Sequence, residues 1–176
     1  MNHEIEIKFR VRNKPRFLRR LKKLGITLRE KKHLLDLYYS PPGKKFIGRN
    51  PRLRIRKNMT TGTASFEYHQ PVGLYGGEET EVTISDGDMM DLILRQFKFR
   101  EEARVDKVRT VYEHREMNVD LDEVKGLGTF VEIEIMNAKN KTRAVKEIKK
   151  AALELGLSLN DIENNRYLEM MLTKRR

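Results

Sequence analysis

The residues best placed to do chemistry are charged side chains that alternate with apolar ones along short segments. Glu4, Glu6, Lys8 and Arg10 alternate with Ile5, Ile7, Phe9 and Val11, the period-two pattern of a strand with one apolar and one polar face. Glu4 and Glu6 then lie about 6.5–7 Å apart on the same face, a spacing from which both reach one hydrated divalent cation. A second Glu-x-Glu pair, Glu132 and Glu134, alternates with Val131, Ile133 and Ile135. Other segments carry the opposite sign. Arg52, Arg54 and Arg56 alternate with Leu53 and Ile55, and Lys107 and Arg109 share one face of the segment from Ala103 to Val111. A solvated sheet face more often mixes its signs, whereas here they are sorted by strand. If the sheet closes with its charged faces inward, it forms a polar tunnel with a carboxylate wall and a cationic wall. The first wall suits Mg²⁺ or Mn²⁺, hard cations that take oxygen ligands. The second suits phosphate, to which arginine makes forked contacts. An open sheet with a salt-bridged outer face would show the same alternation without a site.

The segments that must position these residues follow in order. Asn13 can cap a helix with Pro15 in its first turn; Phe17, Leu18, Leu21 and Leu24 share a face, and Gly25 ends it. Ile26 to Leu28 and Leu34 to Tyr39 read as two strands, the second closed by Pro41-Pro42-Gly43. Thr63 to His69 and Glu78 to Ile84 are further strands. Asp86 or Asp88 starts a helix in which Met89, Met90, Leu92, Ile93 and Phe97 supply core bulk. Asn118 to Leu121 leads through Asp122 to a turn at Gly126-Leu127-Gly128, and Phe130 to Ile135 follows. A helix spans about Thr142 to Leu155, and a last one begins near Asn160, where Glu163 stands at capping-box spacing.

The chain of 176 residues has material for one domain with a real core, and its 38% hydrophobic and 36% charged composition indicates a folded protein. A net charge of +11 favours an anionic partner. The lack of cysteine excludes disulfides and thiolate metal sites. No apolar run approaches a membrane span and no signal-peptide core opens the chain, so a cytoplasmic protein with no membrane partner is expected. Nucleic acid is a disfavoured partner, because no basic strand carries the aromatic residues used for base stacking.

Taken in order, these segments resemble the CYTH, or triphosphate tunnel metalloenzyme, family, which includes class IV adenylyl cyclases, thiamine triphosphatases and inorganic triphosphatases. Glu4-Ile5-Glu6-Ile7-Lys8 is similar to its Glu-x-Glu-x-Lys signature, Asp36-Leu37-Tyr38-Tyr39 to its Asp-x-Tyr segment and Leu53-Arg54-Ile55-Arg56 to its Leu-Arg-x-Arg strand. Lys107-Val108-Arg109 resembles its Lys-x-Arg. The run from Leu121-Asp122 through Gly126-Leu127-Gly128-Thr129-Phe130 to Glu132-Ile133-Glu134 is the longest match, and Tyr167 fits a late tyrosine.

The resemblance implies an α+β fold, a closed antiparallel barrel of about eight strands with flanking helices. It implies that Glu4, Glu6 and Glu134, with Asp122 and Glu132 as further carboxylates, hold Mg²⁺ or Mn²⁺. Lys8, Arg54, Arg56, Lys107 and Arg109 would bind the phosphates of ATP or another triphosphate, and Glu4, Glu6, Lys8, Lys107 and Arg109 would carry the catalysis. Some members are dimers, so a homodimer is among the implied states. Class IV adenylyl cyclase-like activity is the expected function; the alternatives are an inorganic or thiamine triphosphatase and a polyphosphate- or nucleotide-binding protein without turnover. Two departures stand out. His69 occupies the place of a family lysine, and would serve as a phosphate-binding cation only if protonated. Gly76-Gly77-Glu78-Glu79 stands where a basic residue commonly precedes a family Glu-x-Glu strand, and no Lys or Arg lies between Lys57 and Arg95, which leaves one side of the tunnel short of cations; Arg166 also replaces a family serine. Arg54→Ala and Arg109→Ala should each weaken triphosphate binding much more than monophosphate binding; equal, negligible losses in a titration would place these arginines on the outside.

Overall fold

The computed structural model describes residues 2–44 and 51–174. Eight strands carry the fold: β1 (Asn2–Arg10), β2 (Leu28–Ser40), β3 (Arg52–Asn58), β4 (Thr63–Val72), β5 (Gly76–Ile84), β6 (Arg100–His114), β7 (Met117–Val124) and β8 (Gly128–Met136). Four helices flank them: α1 (Lys14–Lys23), α2 (Gly87–Gln96), α3 (Lys141–Glu154) and α4 (Tyr167–Lys174). The strands close in the order β1-β5-β4-β3-β2-β6-β7-β8, with every pairing antiparallel.

Register decides what the barrel contains. Directly opposed residues point to the same face of a sheet. Lys8 lies opposite Glu132 and Glu6 opposite Glu134; Arg56 faces Asp36, Arg54 faces Glu67, and Arg109 faces Asp122. The charged faces therefore meet in the lumen and the apolar faces turn outward. Ile5, Ile7 and Phe9 join Val119, Leu121, Val131 and Ile133 against Phe17 and Leu21 of α1 and Ala144, Ile148, Ala151 and Ala152 of α3. On another side Leu37, Tyr39 and Ile55 meet Leu94 of α2. A third cluster joins Tyr167 and Leu168 of α4 to Tyr38, Ala103, Val105, Val124 and Phe130, whose register places them on the lumen side.

The helix signals act as their chemistry dictates. The Asn13 side chain caps α1 by accepting from the Arg16 amide, Gly25 follows the helix with φ +71, and Asp86 and Asn140 cap α2 and α3.

Three expected elements differ. The two short strands around residues 26–39 form one 13-residue strand, because the polar stretch from Arg29 to His33 continues the pairing with β6 at the solvent. Its lack of apolar alternation hid it. The apolar positions of α2 are not core: Met89, Leu92, Ile93 and Phe97 are exposed, Phe97 at 69%, and only Leu94 and Met90 pack inward. The final helix starts at Tyr167, and Asn160 belongs instead to a 3₁₀ turn, Leu159–Asp161, capped by Ser158. Glu163 is no capping residue for a long helix; it accepts from Arg10 and from the Asn165 amide. No helix among the described residues is long and apolar enough to cross a membrane.

Ile148 is fully buried between α3 and the outer face of the barrel. Ile148→Ala should cost roughly 2–5 kcal/mol of folding stability, read as a lower urea midpoint with an unchanged denaturant slope.

Candidate active site

The sequence-derived site residues, Asp122 excepted, line one lumenal cavity of about 330 Å³. It opens at the β4–β5 turn, where Leu74, Tyr75 and Gly76 border it. A second cavity, of about 510 Å³, reaches the opposite end at Asn58 and Thr63 and shares Arg56, Glu81 and Arg109 with the first.

The cationic wall is built on carboxylates behind it. Asp36, 1% exposed, accepts a forked pair of bonds from Arg56 (Nε 2.7 Å, Nη2 2.8 Å) and lies 3.5 Å from Arg54 Nη1. Glu67 pairs with Arg54 and accepts from the Ser65 hydroxyl at 2.6 Å. Arg54 also donates to Glu79 (2.8 Å) and to the Tyr38 hydroxyl (3.2 Å). Burial alone would push the Asp36 carboxyl up, but Arg56 and Arg54 together hold it well below the usual carboxylate range.

Arg109 is gripped in the same way. Asp122 accepts from its Nε at 2.7 Å and Nη2 at 2.6 Å, Asp120 lies 2.5 Å from Nη1, and Glu132 also touches Nη2. Asp122, expected among the metal carboxylates, is fully buried and committed to cations and a hydroxyl: it also accepts from Lys107 Nζ at 3.0 Å and from the Tyr167 hydroxyl at 3.1 Å. Glu132 lies 3.3 Å from Lys8 Nζ. The ammonium groups of Lys8 and Lys107 both sit over the Tyr167 ring, 4.2 and 5.0 Å from its centre, an arrangement that favours cations.

Two residues of the carboxylate wall, Glu6 and Glu134, lack such partners. Glu6 and Glu134 lie directly opposite each other on β1 and β8. Among the described residues neither side chain makes an ion pair or hydrogen bond. Burial, then the neighbouring Glu132, pushes Glu6 well above its ordinary value against the pull of Lys8. Burial and then Glu4 and Asp120 push Glu134 up to about 7. Opposed like charges of this kind are destabilising unless a cation lies between them, and an all-oxygen donor set fits Mg²⁺ or Mn²⁺. No three acidic or histidine side chains among the described residues form a ready coordination group.

His69 is not the cation that its position suggested. Its Nδ1 lies 2.9 Å from Arg52 Nη2, and arginine can only donate. The ring hydrogen is therefore on Nε2, which faces Glu4 Oε1 at 3.3 Å. Burial pushes the imidazole below its usual value, consistent with a neutral ring. Gly77 leaves room for this pair: a Cβ there would meet His69 Nε2 at 2.5 Å and Glu4 Oε1 at 2.9 Å, and one of the two side-chain ends would have to shift. Cationic charge on this side comes instead from Arg52, opposite His69 across β3 and β4, and Arg166 lines the same cavity.

The inner carboxylates Asp36, Glu67, Asp120 and Glu79, and Arg52 among the cations, were not singled out as site residues from sequence. Asp36 and Asp120 each stand between apolar residues in Leu35-Asp36-Leu37 and Val119-Asp120-Leu121. The same alternation that exposed Glu4 could have found them.

Compared with known proteins, the chain matches the CYTH domain family over residues 2–167. It is 30% identical over 172 residues to a Methanocaldococcus jannaschii protein named as a candidate adenylate cyclase, covering 95% of this chain and 97% of that protein. It is similar to the solved structures of two Pyrococcus horikoshii OT3 proteins. One has 27% identity and a TM-score of 0.86 over 96% of this chain and 99% of its own; the other has 28% and 0.84 over 98% and 99%.

Asp36→Asn should cost about 3–5 kcal/mol at neutral pH, because it leaves two buried guanidiniums short of a counter-charge. A depressed native pKa gives stability that is present above the ordinary carboxylate range and lost as pH falls through the range toward the native value. Urea midpoints should therefore differ widely between wild type and variant at neutral pH and converge in acid.

Proposed function

Because the chain belongs to the CYTH domain family, we propose that its tunnel binds a metal-bound triphosphate and breaks one of its phosphoanhydride bonds, with conversion of ATP to cyclic AMP and pyrophosphate as the first reading. The observation that carries this is the meeting of two walls in one cavity. Glu4, Glu6 and Glu134 present carboxylates, two of them unneutralised, and Lys8, Arg54, Arg56, Lys107 and Arg109 face them. A bare anion would be repelled by the first wall and a bare cation by the second. A magnesium triphosphate satisfies both.

Glu4, Glu6 and Glu134 would hold the metal, with Glu132 beside them. When bound, Mg²⁺ or Mn²⁺ neutralises phosphate charge and stabilises the charge that develops on the leaving oxygens. The chain's own cations orient the triphosphate. A guanidinium has five donors, so Asp36, which occupies Nε and one terminal nitrogen of Arg56, leaves others for phosphate. The carboxylates behind the wall fix these donors before substrate arrives, and preorganised donors stabilise charge without reorganising during reaction. Lys8 and Lys107, held over Tyr167, supply compact charges at a second point along the chain of phosphates. Catalysis here is mainly positioning and charge compensation. In cyclisation the 3′-hydroxyl oxygen bonds to the α-phosphorus and the bond to pyrophosphate breaks. Leu74, Tyr75 and Met136, at the β4–β5 mouth of the same cavity, provide the apolar surface that a nucleobase requires, and the name of the Methanocaldococcus jannaschii relative supports the same reading.

Hydrolysis of an inorganic or thiamine triphosphate is the second reading. It is favoured by the charged lumen itself, which supplies everything a bare triphosphate needs without the mouth residues.

Phosphorus NMR of the protein with ATP, and separately with inorganic triphosphate, each with Mg²⁺ or Mn²⁺, should show pyrophosphate and cyclic AMP formed from ATP. Orthophosphate release would establish the second reading. Glu6→Gln should abolish either activity while leaving the fold intact. If neither substrate turns over, a binding role without turnover replaces both.

A further inference from the structure

Of the lumenal arginines carried on strands, Arg54, Arg56 and Arg109 are each ion-paired to carboxylates. Arg52 is different. It is 7% exposed, Nη1 is buried without a hydrogen-bond partner, and Nη2 is bonded to the uncharged His69 nitrogen. No carboxylate among the described residues lies within ion-pair distance of it. Arg166 and Arg54 repel its charge, and Glu169 attracts it without an ion pair. Burial, then Arg166, pushes it down to about 10. A buried guanidinium left this way costs stability, and a site that keeps one is incomplete without an anion.

Its place on the strand says which anion. Arg52, Arg54 and Arg56 stand on one face of β3 at intervals of about 6.5–7 Å, with Arg56 toward the far end of the lumen and Arg52 nearest the β4–β5 mouth. An elongated anion lying along β3 meets all three in turn, and the last of them is the one whose charge is not compensated.

We propose that Arg52 clamps an end phosphoryl group, the one nearest the β4–β5 turn when a linear phosphate chain occupies the tunnel, and that His69 is a positioning residue that holds Arg52 and Glu4 in place. The proposal rests on the triphosphate reading above. It assigns the cation that this side of the tunnel needs to β3 rather than to position 69. It also makes the grip sensitive to chain length: a triphosphate reaches Arg52 and a diphosphate held by Arg54, Arg56 and Arg109 does not.

Calorimetric titration of inorganic triphosphate and of pyrophosphate, with and without Mg²⁺, into wild type, Arg52→Met and His69→Gln tests this. Removing an uncompensated buried charge should leave the Tm of ligand-free Arg52→Met unchanged or raised. Its triphosphate affinity should fall at least roughly tenfold, the worth of a charge-assisted forked contact, and its pyrophosphate affinity by less than about twofold. His69→Gln, whose amide can accept from Arg52 and donate to Glu4, should keep triphosphate affinity within about twofold of wild type. Arg52→Met binding triphosphate as tightly as wild type would overturn the proposal. So would equal losses for both ligands with a lowered Tm, which indicates a structural role. A His69→Gln loss as large as that of Arg52→Met would return the phosphate contact to position 69. Failure of wild type to bind triphosphate under either condition would overturn the tunnel reading itself.

Discussion

A charge inside a closed barrel must be neutralised by whatever else is inside, and this constraint governs the protein. Water cannot screen the lumen as it screens a surface, so three arginines of the cationic wall are backed by acids on nearby strands: Arg56 by Asp36, Arg54 by Glu67 and Glu79, Arg109 by Asp120, Asp122 and Glu132. Antiparallel register brings these partners together, because opposed residues share a face. The apolar layer under α1 and α3 then holds that register from outside, since a one-residue slip would turn Ile7 inward and Glu6 outward.

Where compensation stops, function begins. Glu6 and Glu134 repel one another, and Arg52 has only a neutral ring nitrogen to bond. Each unmet charge is opposite in sign to one half of a metal–phosphate pair. The neutral His69 between Glu4 and Arg52 connects the two deficits, in space that glycine at position 77 of β5 leaves open. A side chain at position 77 would force the ends of His69 or Glu4 to shift and disturb the bond between them.

Much of this was legible in the sequence. Alternation located β1, β3 and β8 and the faces of their charges, and Asn13, Gly25 and Asp86 marked helix ends by local chemistry alone. What alternation does not carry is pairing between distant strands. The family resemblance placed Asp122 with Glu132 among the metal carboxylates, and only the neighbouring β6 shows it holding Lys107 and Arg109. Arg52 belonged visibly to a row of three arginines, but its lack of a carboxylate depends on β4 offering His69 at that register. Met89, Leu92 and Ile93 of α2 and Phe97 at its C-terminal end misled for a related reason. Periodicity reports that a helix has an apolar stripe without reporting how much of it the barrel covers, and here Leu94 and Met90 suffice.

The distribution of charge has a consequence outside the lumen. Acidic side chains within the tunnel and just behind its walls at least match the basic ones, so among the described residues the surplus of positive charge resides on the exterior. The outer surface concentrates polyanions of every kind around the protein through a long-range field that salt screens within about 8–10 Å. Discrimination belongs to the lumen, where the contacts are short and shielded from ions. If the lumen binds a triphosphate as proposed, capture and choice would be separate events, with ionic strength slowing the first while leaving the second nearly untouched.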